Sequence, residues 1–166
     1  YSIYASLKHS NIEVVCFEPS TSNLRILSRN ISINSLEKKI KINQLPLTNQ
    51  NNKFLLMHES SFEEGSALNT FGENLSFDGK IINKKNNYQI LGTSINNLLD
   101  NKILSIPNFI KLDVDGIEHL ILHGADKYLK NENLKSLSIE LNENFKDQYN
   151  EVLTLMKNND FTLKSK

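Results

Sequence analysis

The sequence is 166 residues long, enough for one ordinary domain with its own core. It carries 19 Lys and Arg against 19 Asp and Glu, so its formal net charge is zero. That balance argues against a general nucleic-acid binder, which carries a basic face, and against a polybasic membrane-surface protein.

One cysteine, Cys16, lies in the apolar run Val14-Val15-Cys16-Phe17, so no disulfide can form within the chain and a buried, inert thiol is expected. No stretch approaches the roughly 18 apolar residues of a membrane span. No charged-then-apolar leader opens the sequence. It starts on Tyr1 rather than Met, which leaves an upstream segment open. A reducing compartment fits, and the expectation is a cytoplasmic protein with no integral membrane segment.

Residues 1–7 read as the end of an amphipathic helix, with Tyr1, Tyr4 and Ala5 at helical spacing. Residues 13–17 are nearly all apolar, as suits a strand buried on both faces of a parallel sheet. Glu18-Pro19-Ser20 ends that strand, and Ser20, Thr21 or Ser22 can cap the next helix. Leu24, Ile26, Leu27, Ile31 and Ile33 give this helix its apolar side, and Asn34-Ser35 stops it. Residues 39–43 predict another strand, and residues 54–58 a further one that suits antiparallel pairing. The polar stretch 59–87 contains Gly65, Gly72 and Gly79. It is too long for a structureless connection, so a functional loop or a hairpin is expected there. Thr93 or Ser94 caps a short helix over 95–99.

Residues 109–114 form the second strong strand pattern. Asp115-Gly116 turns it into a helix through Leu120, Ile121 and Leu122, which Gly124-Ala125 breaks or kinks. Residues 134–141 predict a third strand, 145–156 a helix, and 161–163 the start of a last strand. Strands separated by helices imply parallel crossovers and an α/β sandwich, one domain over 1–166. Ligands of such sheets bind beyond the carboxyl ends of the strands. Three places meet that rule: Glu18-Pro19, Asp113-Val114-Asp115-Gly116 and Glu140-Leu141-Asn142.

Glu18 offers two acceptor oxygens at a strand end, the arrangement that holds both hydroxyls of a ribose. Its plain alternative is a surface carboxylate that starts a turn. Asp113 and Asp115 are two apart, so both point the same way if the strand persists that far. Such a pair can hold a divalent cation or supply a general base. Asp115 can equally cap the helix after Gly116. Glu140 ends its strand and either enters the cleft of Asp113 or faces water. His119 and His123 share a helix face, a spacing that can hold zinc, although two solvated histidines suit the pattern better. No nucleophile elbow and no phosphate loop occur.

Taken in order, these pieces resemble the FkbM family of methyltransferases. The matching segments are Val15-Cys16-Phe17-Glu18-Pro19-Ser20 with Asn23 and Leu24, and Glu64-Gly65-Ser66-Ala67-Leu68. They continue with Thr93-Ser94-Ile95, Ile110-Lys111-Leu112-Asp113-Val114-Asp115-Gly116 with Glu118, Leu122-His123-Gly124-Ala125 and Leu137-Ser138-Ile139-Glu140. The resemblance implies a Rossmann-like class I methyltransferase fold, a three-layer α/β/α sandwich, with S-adenosylmethionine as methyl donor. It implies transfer to a hydroxyl of a sugar, glycan or natural product. Glu18, with Pro19, would then hold the cofactor ribose, and Gly65 and Ser66 would lie near the cofactor. Asp113 would sit at the sulfonium end and help deprotonate the acceptor, with Glu140 as a second catalytic carboxylate.

The sequence departs from the family pattern at Asp115, where Glu is usual, and it shows no glycine-rich loop ahead of the first helix. The expectation is therefore a domain truncated at its amino end and, after residue 163, at its carboxyl end. Two other readings fit parts of the pattern. One is a metal-dependent glycosyltransferase that uses Asp113 and Asp115. The other is a non-catalytic domain that keeps the methyltransferase fold and binds a partner.

Overall fold

The computed structural model describes residues 1–81 and 86–164, a mixed α/β chain. Helix α1 (Ser2–Lys8) leads to strand β1 (Val14–Phe17), helix α2 (Thr21–Ile33) and strand β2 (Ile40–Asn43). Strands β3 (Lys53–Glu59), β4 (Thr70–Phe71) and β5 (Asn86–Gly92) follow. The second half runs α3 (Ile95–Asp100), β6 (Phe109–Leu112), α4 (Glu118–His123), β7 (Ser136–Ile139) and α5 (Lys146–Asn158).

The β1–α2–β2 unit forms as its sequence dictates. Ser20 caps α2 by accepting the Asn23 N–H. Ser35, at φ 54°, takes the left-handed turn that ends the helix region. Strands β1 and β2 then pair in parallel, with Val14 opposite Ile40 and Phe17 opposite Asn43. Ile31, Leu36 and Ile40 are buried between helix and strands, with Ile3, Val14, Leu27 and Ile42 packed around them. The second crossover is built alike. Strands β6 and β7 are parallel, with Phe109 opposite Ser136 and Leu112 opposite Ile139. Both ladders run one residue past their strands. Glu18 N–H donates to Asn43 O at 3.0 Å, and Glu140 N–H to Leu112 O at 2.9 Å. Both strand-end acids are thus fixed at the backbone.

Between these units stands an antiparallel sheet in the order β4-β3-β5. Strand β5 has no counterpart among the strands expected from sequence. It pairs with β3 along its whole length, from Lys53 opposite Gly92 to Glu59 opposite Asn86. The stretch 59–87 does hold a hairpin: Leu75 bridges Ile81, and Gly79 N–H closes the turn on Ser76 O at 2.9 Å. Residues 82–85 of that stretch lie outside the described residues. The main core joins the antiparallel sheet to the second crossover through Met57, Phe71, Leu112, Ile117, Ile121, Leu122, Leu129, Leu134 and Val152.

Among the described residues the strands form three sheets of two, three and two members, and β1 does not pair with β6. Several expectations are corrected. Strand β6 ends at Leu112, so Asp113 and Asp115 lie in a turn, and the alternation that would aim them together does not apply. Residues 161–164 form no strand. On α1 the aromatic side faces outward: Tyr1 and Tyr4 are exposed, while Ile3 packs inward and Ser6 is buried. Cys16 is half-buried, not enclosed, and its thiol donates to Lys41 O.

Gly124 marks where α4 ends against another part of the chain. A Cβ there would stand 2.3 Å from Thr48 O and 3.1 Å from Ser94 Cβ. The glycine's φ is an ordinary −70°, so the constraint is space, not backbone angle. Overpacking of this kind costs about 1–3 kcal/mol. The expected result for Gly124→Ala is a urea midpoint lowered accordingly with an unchanged m-value. An unaltered midpoint would show that the Thr48 segment yields freely.

Candidate active site

The carboxyl ends of the parallel strands carry two groups of polar residues. The first surrounds Glu18. Its Oε1 accepts the Ser20 N–H at 3.0 Å, a local turn that Pro19 between them stiffens. Burial pushes the Glu18 carboxyl above its usual range, and the charge of Glu59 adds to this, against the Ser20 and Asn23 hydrogen bonds. Asn23, in the first turn of α2, also grips the glycine-bearing loop. Its Oδ1 accepts the Gly65 N–H at 2.9 Å, and its Nδ2 donates to Ser66 O at 3.0 Å. Ser22 Oγ donates to Phe62 O at 2.8 Å, and Glu64 meets Arg25 and Arg29 at 3.4 and 2.9 Å. The structure therefore brings Glu18, Pro19, Gly65 and Ser66 to one corner, around the start of α2.

The second group lines a cleft of about 460 Å3 at the end of β6 and β7. Asp113, Asp115 and Gly116 form one wall, Glu140 and Asn142 another, and Leu68 and Phe77 of the long loop a third. Lys111 stands between the two catalytic candidates. Its Nζ is 2.9 Å from Asp113 Oδ2 and 3.8 Å from Glu140 Oε2. The Lys111 ammonium holds the Asp113 carboxyl below its usual range. Both acids are more than half exposed at the cleft mouth. Asp115 turns away to accept the Asn69 N–H at 3.0 Å. It does not cap α4, whose first turn has no side-chain cap. Asp113 and Asp115 are thus committed to different partners. Among the described residues no group of three or more His, Cys, Asp or Glu side chains is gathered as a metal site requires.

Glu118 and Gln148 form the floor, and their pairing was not legible in the sequence. Glu118 is 3% exposed and Gln148 2%. Gln148 Nε2 donates to Glu118 Oε2 at 2.8 Å and lies 3.2 Å from His119 Nδ1. The backbone N–H groups of Glu118 and Val114 also act on the carboxylate. One signal was available. Gln148 sits between Phe145 and Val152 at helical spacing, a polar residue on an apolar stripe. His123 instead pairs with Glu151 at 2.6 Å on the outer side of the same helices. A second hollow of about 380 Å3 beside α2 is lined by Ile31, Ile40, Ile42, Ser28, Ser32 and Glu37. It lacks convergent polar groups and lies away from the strand ends.

Acids thus stand just beyond parallel strands at two corners, joined by one long loop, in the region where ligands of α/β sheets bind. The family model of the methyltransferase FkbM domain matches residues 3–163, and the chain belongs to that family. It is the chain of a methyltransferase. No curated protein and no solved structure gives a significant match. No helix among the described residues is long and apolar enough to cross a membrane.

Burial raises the Glu118 pKa from an ordinary 4.5 to about 7. Folding therefore favours its protonated form. Its contribution to stability is complete below about pH 4.5 and is lost as pH rises through about 7. Thermal melts between pH 5 and 8.5 should show this loss in the native protein. Glu118→Gln, which cannot titrate, should flatten that part of the profile. Identical slopes for both proteins would contradict the assignment.

Proposed function

We propose that the protein transfers a methyl group from S-adenosylmethionine to a hydroxyl of a sugar, glycan or natural-product acceptor. The observation that carries the reading is the pairing of two acid-bearing strand ends across one loop. Glu18 closes β1, Asp113 follows β6, and residues 60–77 touch both corners. In this reading Glu18 accepts the ribose hydroxyls, with Pro19, Gly65 and Ser66 around the same ligand. The donor set fits that part of the cofactor, because a half-buried carboxylate with a raised pKa gains from hydroxyl donors. A Rossmann-like sandwich follows if a further strand joins the open edges of β1 and β6, completing one methyltransferase domain.

The cofactor supplies an electrophilic methyl carbon on a positively charged sulfur. Asp113 has two tasks beside it. Its charge, kept by Lys111, suits the cation, and its oxygen can take the proton of the attacking hydroxyl. The same ion pair makes it a weak base in the resting site, so the proton task, which bears on turnover, needs the approach of the acceptor to loosen that pair. Glu140 lies on the other side of Lys111 and shares in setting this balance. Leu68 and Phe77 give the cleft an apolar rim suited to the carbon face of the acceptor. The metal-assisted glycosyl-transfer reading is not favoured, since Asp113 and Asp115 do not converge.

Two measurements on the complete protein test the roles. Losing a charge-assisted hydrogen bond costs about 1.5–3 kcal/mol, or roughly 10- to 150-fold in affinity. Calorimetric titration with S-adenosylmethionine should show that loss for Glu18→Ala; equal affinity with an intact fold rules the role out. For Asp113→Asn, turnover should fall by roughly 10²–10⁴ while cofactor affinity changes little. Full turnover on the acceptor would remove Asp113 from the chemistry.

A further inference from the structure

Glu59 closes β3 and is fully buried, 0% exposed. The Tyr88 hydroxyl, across the β3–β5 ladder, donates to its Oε1. Its Oε2 is buried and has no hydrogen-bond partner among the described residues. A buried acceptor left unmade costs free energy, more so on an acid, and such an atom calls for a donor that the described residues do not supply. No ion pair to Glu59 occurs among the described residues. The nearby titratable groups are instead Glu18, whose carboxyl the Glu59 charge pushes up, and Tyr88, whose hydroxyl burial and then Glu59 push up. Two carboxylates thus stand within each other's field beside the corner already read as the cofactor's.

We propose that Glu59 is a second binding carboxylate of that corner, whose Oε2 accepts a hydroxyl or N–H of the nucleoside part of the methyl donor. This rests on the methyltransfer reading given above. The chemistry singles out a donor-rich group that is not an anion. Such a group offers hydrogens to both acids, and bridging them relieves the repulsion between Glu18 and Glu59. An anion would meet only repulsion. Tyr88 is a positioning residue: its hydroxyl fixes Oε1 and so aims Oε2. The glycine-bearing loop starts at the next residue. Ser60 closes this loop on itself, through its N–H to Asn69 Oδ1 at 2.9 Å and its hydroxyl to Ala67 O.

The test uses the complete protein, Glu59→Gln and Tyr88→Phe, with S-adenosylhomocysteine and 5′-methylthioadenosine as probes. Gln keeps the acceptor for Tyr88 and turns the orphaned oxygen into a donor. Glu59→Gln should weaken both probes about tenfold or more, by the loss of a charge-assisted hydrogen bond. The probe-induced rise in Tm should shrink with it. Without probe, its Tm should stay at or above that of the native protein, because Gln keeps the shape of the side chain and the acceptor for Tyr88. Tyr88→Phe should weaken both probes less, through lost positioning, and it serves as the measure if Glu59→Gln does not fold. Native affinity in Glu59→Gln, or in Tyr88→Phe where that is the measure, overturns the proposal. A large fall in apo Tm with unchanged affinity also overturns it, since Glu59 would then be structural only. If the native protein binds neither probe, the methyltransfer reading itself fails and this inference with it, an outcome distinct from native binding that Glu59→Gln leaves intact.

Discussion

The turn from β6 into α4 is held by a segment that crosses it from elsewhere in the chain, and the cleft exists because of that crossing. Gly116 has φ 101°, a conformation that side chains resist. A Cβ there would also stand 2.9 Å from Ser76 O and 3.1 Å from Phe77 Cα. The backbone of the long loop therefore lies directly on the turn. Asp115 adds a charge-assisted bond to the Asn69 N–H of the same loop, and Asn142 Nδ2 reaches Phe77 O at 3.2 Å. Three contacts fix the loop over the carboxyl ends of β6 and β7. Leu68 and Phe77 become cleft wall as a consequence.

The other end of this loop is fixed as firmly, at the start of α2. There the partner is Asn23, which satisfies a Gly65 donor and a Ser66 acceptor at once. One continuous stretch thus touches both strand-end corners. A loop so placed gives both corners a shared wall, pinned at Asn23 on one side and at Asp115 and Asn142 on the other.

Much of this was legible from residues alone. The patterns over 13–17, 39–43 and 109–114 marked three strands, although β1 is only partly buried and Phe109 is exposed, and Ser20 and Ser94 were among the candidate caps. Strand β5 was not legible. Its sequence, Asn-Asn-Tyr-Gln-Ile-Leu-Gly, begins with two turn-forming residues, and its place is set by the ladder to β3. The Asp113–Asp115 pair misled for a related reason. Period-two alternation holds only inside a strand, and β6 stops one residue earlier. The pairing of Glu118 with Gln148 joins residues 30 apart in sequence, and no local pattern encodes such a meeting.

What emerges is a division among the acids by environment. Asp113 and Glu140 stand more than half exposed on either side of Lys111, and its ammonium holds the Asp113 carboxyl below the usual range. Glu18, Glu59 and Glu118 are withdrawn from water, and each answers burial differently. Glu118 meets Gln148 and backbone donors and drifts toward neutrality. Glu18 accepts the Ser20 N–H in a local turn, with Asn23 also acting on it. Glu59 keeps one oxygen bonded and one bare. A fold that needed these acids only for stability would do better with apolar residues of like volume, since dry carboxylates rarely repay their desolvation. On the reading proposed above, it is ligands of this corner that bring hydrogens to Glu18 and Glu59.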